Sequence, residues 1–160
     1  MNWMILPFKR YAEFSGRSRR MEFWMFQLLN IIVALVLAGP LYFSMISAAM
    51  VDPSMAGEGG EAAMAASFAD AGSGYFIMAG VYGLYALAAL VPTIAVTVRR
   101  LHDRDMSGWW YLGFVLLALI PILGLLASLA FLVITFLPGT LGPNRFGEDP
   151  KDPMQASVFE

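Results

Sequence analysis

Three apolar stretches, about 23–49, 75–98 and 109–137, contain no acidic or basic residue. Each exceeds the roughly 20 residues that cover a hydrocarbon core of about 30 Å at a 1.5 Å rise per residue. The core helix of a soluble protein is rarely so apolar over such a length, and not three times in succession. The pattern predicts an all-α fold: a polytopic membrane helix bundle with three transmembrane helices. With 59% hydrophobic and 14% charged residues, the chain also departs from the roughly half-apolar, one-quarter-charged make-up of soluble domains. Its length suits one membrane domain over 1–150, with a frayed tail over 151–160.

Within the third stretch, Pro121-Ile-Leu-Gly124 admits two readings. A proline in a membrane helix kinks it, which would leave one kinked crossing. Pro and Gly at this spacing also suit a turn, which would make 109–137 a re-entrant helical hairpin. The kinked crossing is the first reading and the hairpin the alternative. They place the tail on opposite sides of the membrane.

Basic residues set the orientation. Lys9, Arg10, Arg17, Arg19 and Arg20 precede the first stretch, and Arg99, Arg100 and Arg104 follow the second. Between those two stretches lie only Asp52, Glu58, Glu61 and Asp70 among charged residues. By the positive-inside rule, the N-terminus and the loop 99–110 face the cytoplasm. The first stretch is about twice as long as a signal-peptide core and reads as an uncleaved span. Residues 50–74 read as a flexible outer loop, with a short helix over Glu61–Asp70 favoured by its alanines. Aromatic and basic residues interleave over 1–22, as in a segment lying at the membrane interface.

Composition removes several chemistries. There is no cysteine, and His102 is the single histidine. Disulfides, thiolate metal sites, a cysteine nucleophile and a multi-histidine metal site within one chain are therefore excluded. No cofactor or metal is expected, and a net charge of −2 indicates no nucleic-acid footprint. His102 beside Asp103 invites an acid–base reading, but adjacent residues on a helix point in different directions. Arg99 and Arg100 close the second span, with Asp103 and Asp105 as expected partners, and Arg145 is expected to pair within its acidic surroundings (Glu148, Asp149, Asp152). Thr93 and Thr97, and Gln27 with Asn30, could bond between helices. No ionisable group falls inside a span, which argues against a monomeric coupled carrier.

Four motifs then align in order: Phe14-Ser-Gly-Arg-Ser-Arg-Arg-Met-Glu-Phe-Trp24; Arg99-Arg-Leu-His-Asp103 with Ser107-Gly-Trp-Trp110; Ile120-Pro-Ile-Leu-Gly124; and Gly139-Thr with Asn144-Arg-Phe-Gly-Glu-Asp-Pro150. Together they resemble the DUF805 family of small bacterial inner-membrane proteins, over nearly the whole chain. The resemblance implies a bacterial plasma-membrane location and an unknown function. The outer loop is longer than the family's connection. The motifs point to a polar cap at the cytoplasmic face, made by Arg17, Arg19, Arg20, Glu22, Arg99, Arg100, His102 and Asp103, with Trp109 and Trp110 at headgroup level. Glu22 would pair with Arg99 or Arg100. Asn144, Arg145 and Asp149 would join the cap only if the third stretch is a hairpin. The expected role is non-enzymatic binding of anionic lipid or a protein partner. The alternatives are an oligomeric pore or carrier, built from further copies of the chain, and a lipid-headgroup enzyme using His102 and Asp103.

Overall fold

The computed structural model describes residues 3–50 and 60–151. These residues are helical, without strands, in six elements: α1 (Leu6–Lys9), α2 (Arg20–Leu37), α3 (Gly39–Met50), α4 (Gly60–His102), α5 (Trp109–Ala118) and α6 (Pro121–Phe136). They fall into two compact units, 29–88 and the combination of 1–28 with 89–160.

In the 29–88 unit, the first apolar stretch is interrupted at Ala38, two residues before Pro40, which has no N–H to donate. Helical bonding still runs through the break, from Ala38 N to Ala34 O (2.8 Å) and from Tyr42 N to Ala38 O (3.0 Å). Tyr85 Oη donates to Asn30 Oδ1 at 2.7 Å, so Asn30 does bond across helices. The backbone is already helical from Gly60, so the second half of the expected outer loop extends α4. Residues 51–59 lie outside the described residues.

The other unit contains the start of α2, the end of α4, α5, α6 and the tail. Here 109–137 is a helical hairpin. Leu119 closes α5, Ile120 is extended (φ −102°, ψ 116°), and Pro121 occupies the first turn of α6. Proline forces its predecessor out of the helical region and is well suited to a helix start, so the pair terminates one helix and initiates another. Gly124 permits the close approach: a Cβ there would lie 2.8 Å from the Ala118 carbonyl oxygen. The helices do not confirm a count of three spans. Among the described residues, two helical segments are long and apolar enough to cross a membrane, Arg20–Leu37 and Gly74–His102. The 10 residues of α5 and 16 of α6 extend only about 15 and 24 Å.

Thr93 and Thr97, expected to bond to other helices, donate within their own helix instead. Thr93 Oγ1 donates to Ala89 O (2.6 Å) and Thr97 Oγ1 to Thr93 O (2.7 Å), each reaching back one turn along its own helix around Pro92. Packing is inverted relative to a water-soluble protein. The largest fully buried side chains are Arg99 and Arg100, while Leu35, Phe76, Leu87 and Ile122 are each at least 66% exposed. Hydrocarbon on the outside and ions within are what a lipid solvent selects.

Candidate functional site

Arg99 and Arg100 stand in the last turn of α4, where the helix dipole favours cations. The helix then ends in a Schellman turn: Met106 N donates to Leu101 O (3.0 Å) and Asp105 N to His102 O (2.9 Å). Asp105 takes the left-handed position usually given to glycine (φ 58°). Gly16 (φ +81°) turns the N-terminal segment beneath this helix end, and Ser18 N donates to Arg99 O at 3.1 Å.

Two ionic clusters result. In the first, Arg99 Nη2 lies 3.0 Å from Glu22 Oε1, with both side chains at most 3% exposed. The approach is poorly aligned for hydrogen bonding. Arg99 Nε, Nη1 and Nη2 and Glu22 Oε1 thus lack hydrogen-bond partners among the described residues, and the attraction is Coulombic. Ser18 Oγ donates to the other carboxylate oxygen, Glu22 Oε2, at 2.9 Å. In the second cluster, Asp103 bridges two buried guanidinium groups. Its Oδ1 accepts from Arg17 Nε at 3.0 Å, and its Oδ2 pairs with Arg100 Nη1.

The tail completes the second cluster with backbone carbonyls. Arg17 Nη1 donates to Gly142 O and Nη2 to Thr140 O, both at 2.6 Å. Arg100 Nε donates to Thr135 O at 3.1 Å, and its Nη2 to Leu137 O. Thr140 N returns a bond to Asp103 O (2.9 Å). Gly139 packs so tightly on the Asp103 carboxylate that a Cβ there would collide with it. The three buried arginines, 17, 99 and 100, face two buried carboxylates, Glu22 and Asp103. Carbonyl dipoles offset the excess positive charge.

Other residues of the expected cap have separate roles. Arg19 Nε donates to Pro150 O, and Arg104 Nη1 to Pro138 O at 2.5 Å. Asn144 Nδ2 donates to His102 O (2.9 Å) and Thr140 Oγ1 (3.0 Å). Asp149 Oδ2 accepts from Gly142 N (3.2 Å) and Oδ1 from Lys151 N (3.0 Å). These backbone donors, Lys151 first, hold the Asp149 carboxyl below its ordinary range. Among the described residues Arg145 pairs with neither Glu148 nor Asp149. It reaches Asp105, with Nε 3.1 Å from Oδ1, in an exposed pair. Asp152 lies outside the described residues. Arg20 is exposed and donates to Phe136 O at 3.3 Å. Trp109 and Trp110 are exposed, and their side chains have no part in the ionic clusters. At the N-terminal segment Arg10 binds Glu13 through two 2.7 Å bonds, which hold the Glu13 carboxyl down and raise the Arg10 guanidinium.

His102 and Asp103 do not form a dyad. His102 Nδ1 faces Gly16 O at 3.2 Å, and its ring stacks on Phe146 with centroids 3.9 Å apart. The Asp103 carboxylate is committed to Arg17 and Arg100. No group of three or more His, Asp or Glu side chains is arranged for a metal among the described residues. The arrangement clamps chain segments together. Sequence reasoning missed Ser18, Gly139, Thr140 and the carbonyls of Thr135, Leu137 and Gly142. Gly139-Thr stood out as a motif, but carbonyl acceptors carry no residue signature.

The family model described as a protein of unknown function (DUF805) matches residues 11–148. Inner membrane protein YhaH of Escherichia coli (strain K12) is 37% identical over 153 residues, covering 94% of this chain and 98% of YhaH. Inner membrane protein YhaI of the same strain is 36% identical over 151 residues, covering 94% of this chain and 97% of YhaI. No solved structure matches. The matched segment begins before the Gly16 turn and ends after Arg145, enclosing both ionic clusters and the hairpin between them: the chain belongs to the DUF805 family.

Proposed function

We propose that this protein is a non-enzymatic bacterial inner-membrane protein that binds anionic lipid around a rigid cytoplasmic cap. In this reading α2 with α3, and α4, cross the bilayer, while α5 and α6 enter and return. The N-terminus and tail both face the cytoplasm, as the basic residues at 9–20 and 99–104 favour. The carrying observation is the division of labour among the cations. Arg17, Arg99 and Arg100 are buried and neutralised internally, whereas Lys9 and Arg20 of the same compact unit remain exposed. The buried group holds the tail against the helix ends. The exposed group, with Trp109 and Trp110, offers cations and interfacial aromatics to phosphate headgroups.

The test is thermal unfolding of the detergent-solubilised full chain with added phosphatidylglycerol or phosphatidylcholine. Phosphatidylglycerol should raise the midpoint more, the difference should shrink with salt, and Lys9→Gln with Arg20→Gln should reduce it. Equal effects of the two lipids would refute the reading.

A further inference from the structure

Between α2 and the α5–α6 hairpin lies a lateral groove of about 330 Å³, within the size range of small-molecule sites. Its walls are aromatic: Phe23 and Trp24 from α2, Tyr111 from α5 and Phe131 from α6. Ala118, Ala127 and Ser128 line its far part, two turns or more along the hairpin from the ionic cap. Small side chains there leave the space that larger ones would fill. Trp24, Tyr111 and Ser128 are all partly or fully exposed, so the groove is accessible from the side.

One end is cationic. Arg20, Trp24 and Gln27 follow one another along one face of α2 at helical spacing. Arg20 therefore lies one turn toward the cap from the groove wall. Its guanidinium has five donors, of which one reaches Phe136 O. Beneath it Trp24 stacks on Phe136 at 4.1 Å and donates Nε1 to Thr135 O at 3.4 Å. An apolar slot opening under an exposed arginine matches an amphiphile with an anionic head and a hydrocarbon tail. A plain transmembrane helix would leave that arginine unmatched.

We propose that this groove is a binding site for one acyl chain of an anionic phospholipid, whose phosphate meets Arg20. The proposal deepens the lipid-binding reading above and rests on it. The chain runs along Trp24, Tyr111 and Phe131 toward Ala127 and Ser128. Arg20 supplies headgroup preference, and the groove supplies chain contact.

The experiment uses the full chain with Trp3, Trp109 and Trp110 changed to Phe, so that Trp24 reports alone. Its fluorescence is followed in vesicles containing phosphatidylglycerol or phosphatidylcholine brominated in mid-chain. Brominated phosphatidylglycerol should quench Trp24 at a several-fold lower mole fraction than brominated phosphatidylcholine. Arg20→Gln should merge the two curves, and Ser128→Phe should do so by filling the groove. Ser128→Leu serves as a milder filling if the larger residue impairs folding, judged by circular dichroism. Coincident curves in the unfilled protein would overturn the groove proposal, as would a preference that survives both Arg20→Gln and filling. A disulfide between copies carrying Ser128→Cys, with Trp24 shielded from both lipids, would assign the groove to a second copy and overturn it too. Retained phosphatidylglycerol stabilisation in the melting assay, with coincident quenching curves, would sink the groove alone. Loss of both would sink the lipid-binding reading itself.

Discussion

Replacing Asp103 with asparagine preserves side-chain volume and removes one charge from between two buried arginines. The Asp103 carboxylate is 2% exposed, and the partner side chains of Arg17 and Arg100 are 1% and 0% exposed. Each pair, with charge centres about 4 Å apart, has an attraction of about 4 kcal/mol at an effective dielectric of 20. Desolvation consumes part of this attraction, and the asparagine oxygen and the tail carbonyls retain some hydrogen bonds. Removing one partner of a buried pair costs about 3–5 kcal/mol, or roughly two to three and a half decades in an equilibrium constant. The tail is the element that opens, because Arg17 and Arg100 hold it through carbonyls 135, 137, 140 and 142. Trypsin cleavage after Arg145, followed in mild detergent, should therefore accelerate steeply in D103N. Asp105→Asn is the matched control. Its pair with Arg145 is 60% and 47% exposed, worth about 0–1 kcal/mol, and asparagine tolerates the left-handed backbone. Equal cleavage of D103N and the unmodified protein would refute the buried-bridge account.

Gly139→Ala should drive a methyl group into the Asp103 carboxylate and cost about 1–3 kcal/mol, while Gly113→Ala, with open space at its Cβ, should leave thermal unfolding unchanged or slightly raised. Reporter fusions at the N-terminus and after Glu160 should give activity from the same side of the membrane; opposite sides would contradict the hairpin. Asp149 has a folded pKa below its unfolded value, so its contribution is present above the unfolded pKa, ordinarily about 3.8, and disappears as pH falls through the folded value. Hydrogen exchange at Gly142 N should accelerate in that acidic range, and Asp149→Asn should flatten the step. His102→Gln should leave tail cleavage within a few-fold of the unmodified protein, because no ion pair depends on the imidazole; a change as large as that in D103N would show that the stack on Phe146 carries the cap.

The all-α class and the family were legible in the linear chain because both depend on local patterns: long uncharged runs, and short motifs in a fixed order. The ambiguity at Pro121-Ile-Leu-Gly124 was equally legible, but it could not be resolved locally. Proline is acceptable both at a kink and at a helix start, and the choice depends on whether the next helix finds a surface to pack on. Tertiary structure supplies that surface, through the Gly124 approach to Ala118 and the capture of carbonyls 135 and 137 by Arg100. It also decides how the charges divide. Composition marks Arg17, Arg20, Arg99 and Arg100 alike as basic residues near an interface, yet three are buried clamps and Arg20 is exposed. The carboxylates likewise follow position in space: Glu22 takes Arg99, Asp103 takes Arg17 and Arg100, and Asp105 takes Arg145. Local sequence determines which segments prefer lipid, because hydrophobic transfer adds up residue by residue. Ion pairing and carbonyl capture require distant atoms to converge within hydrogen-bond range, so only the folded chain decides which cations remain free.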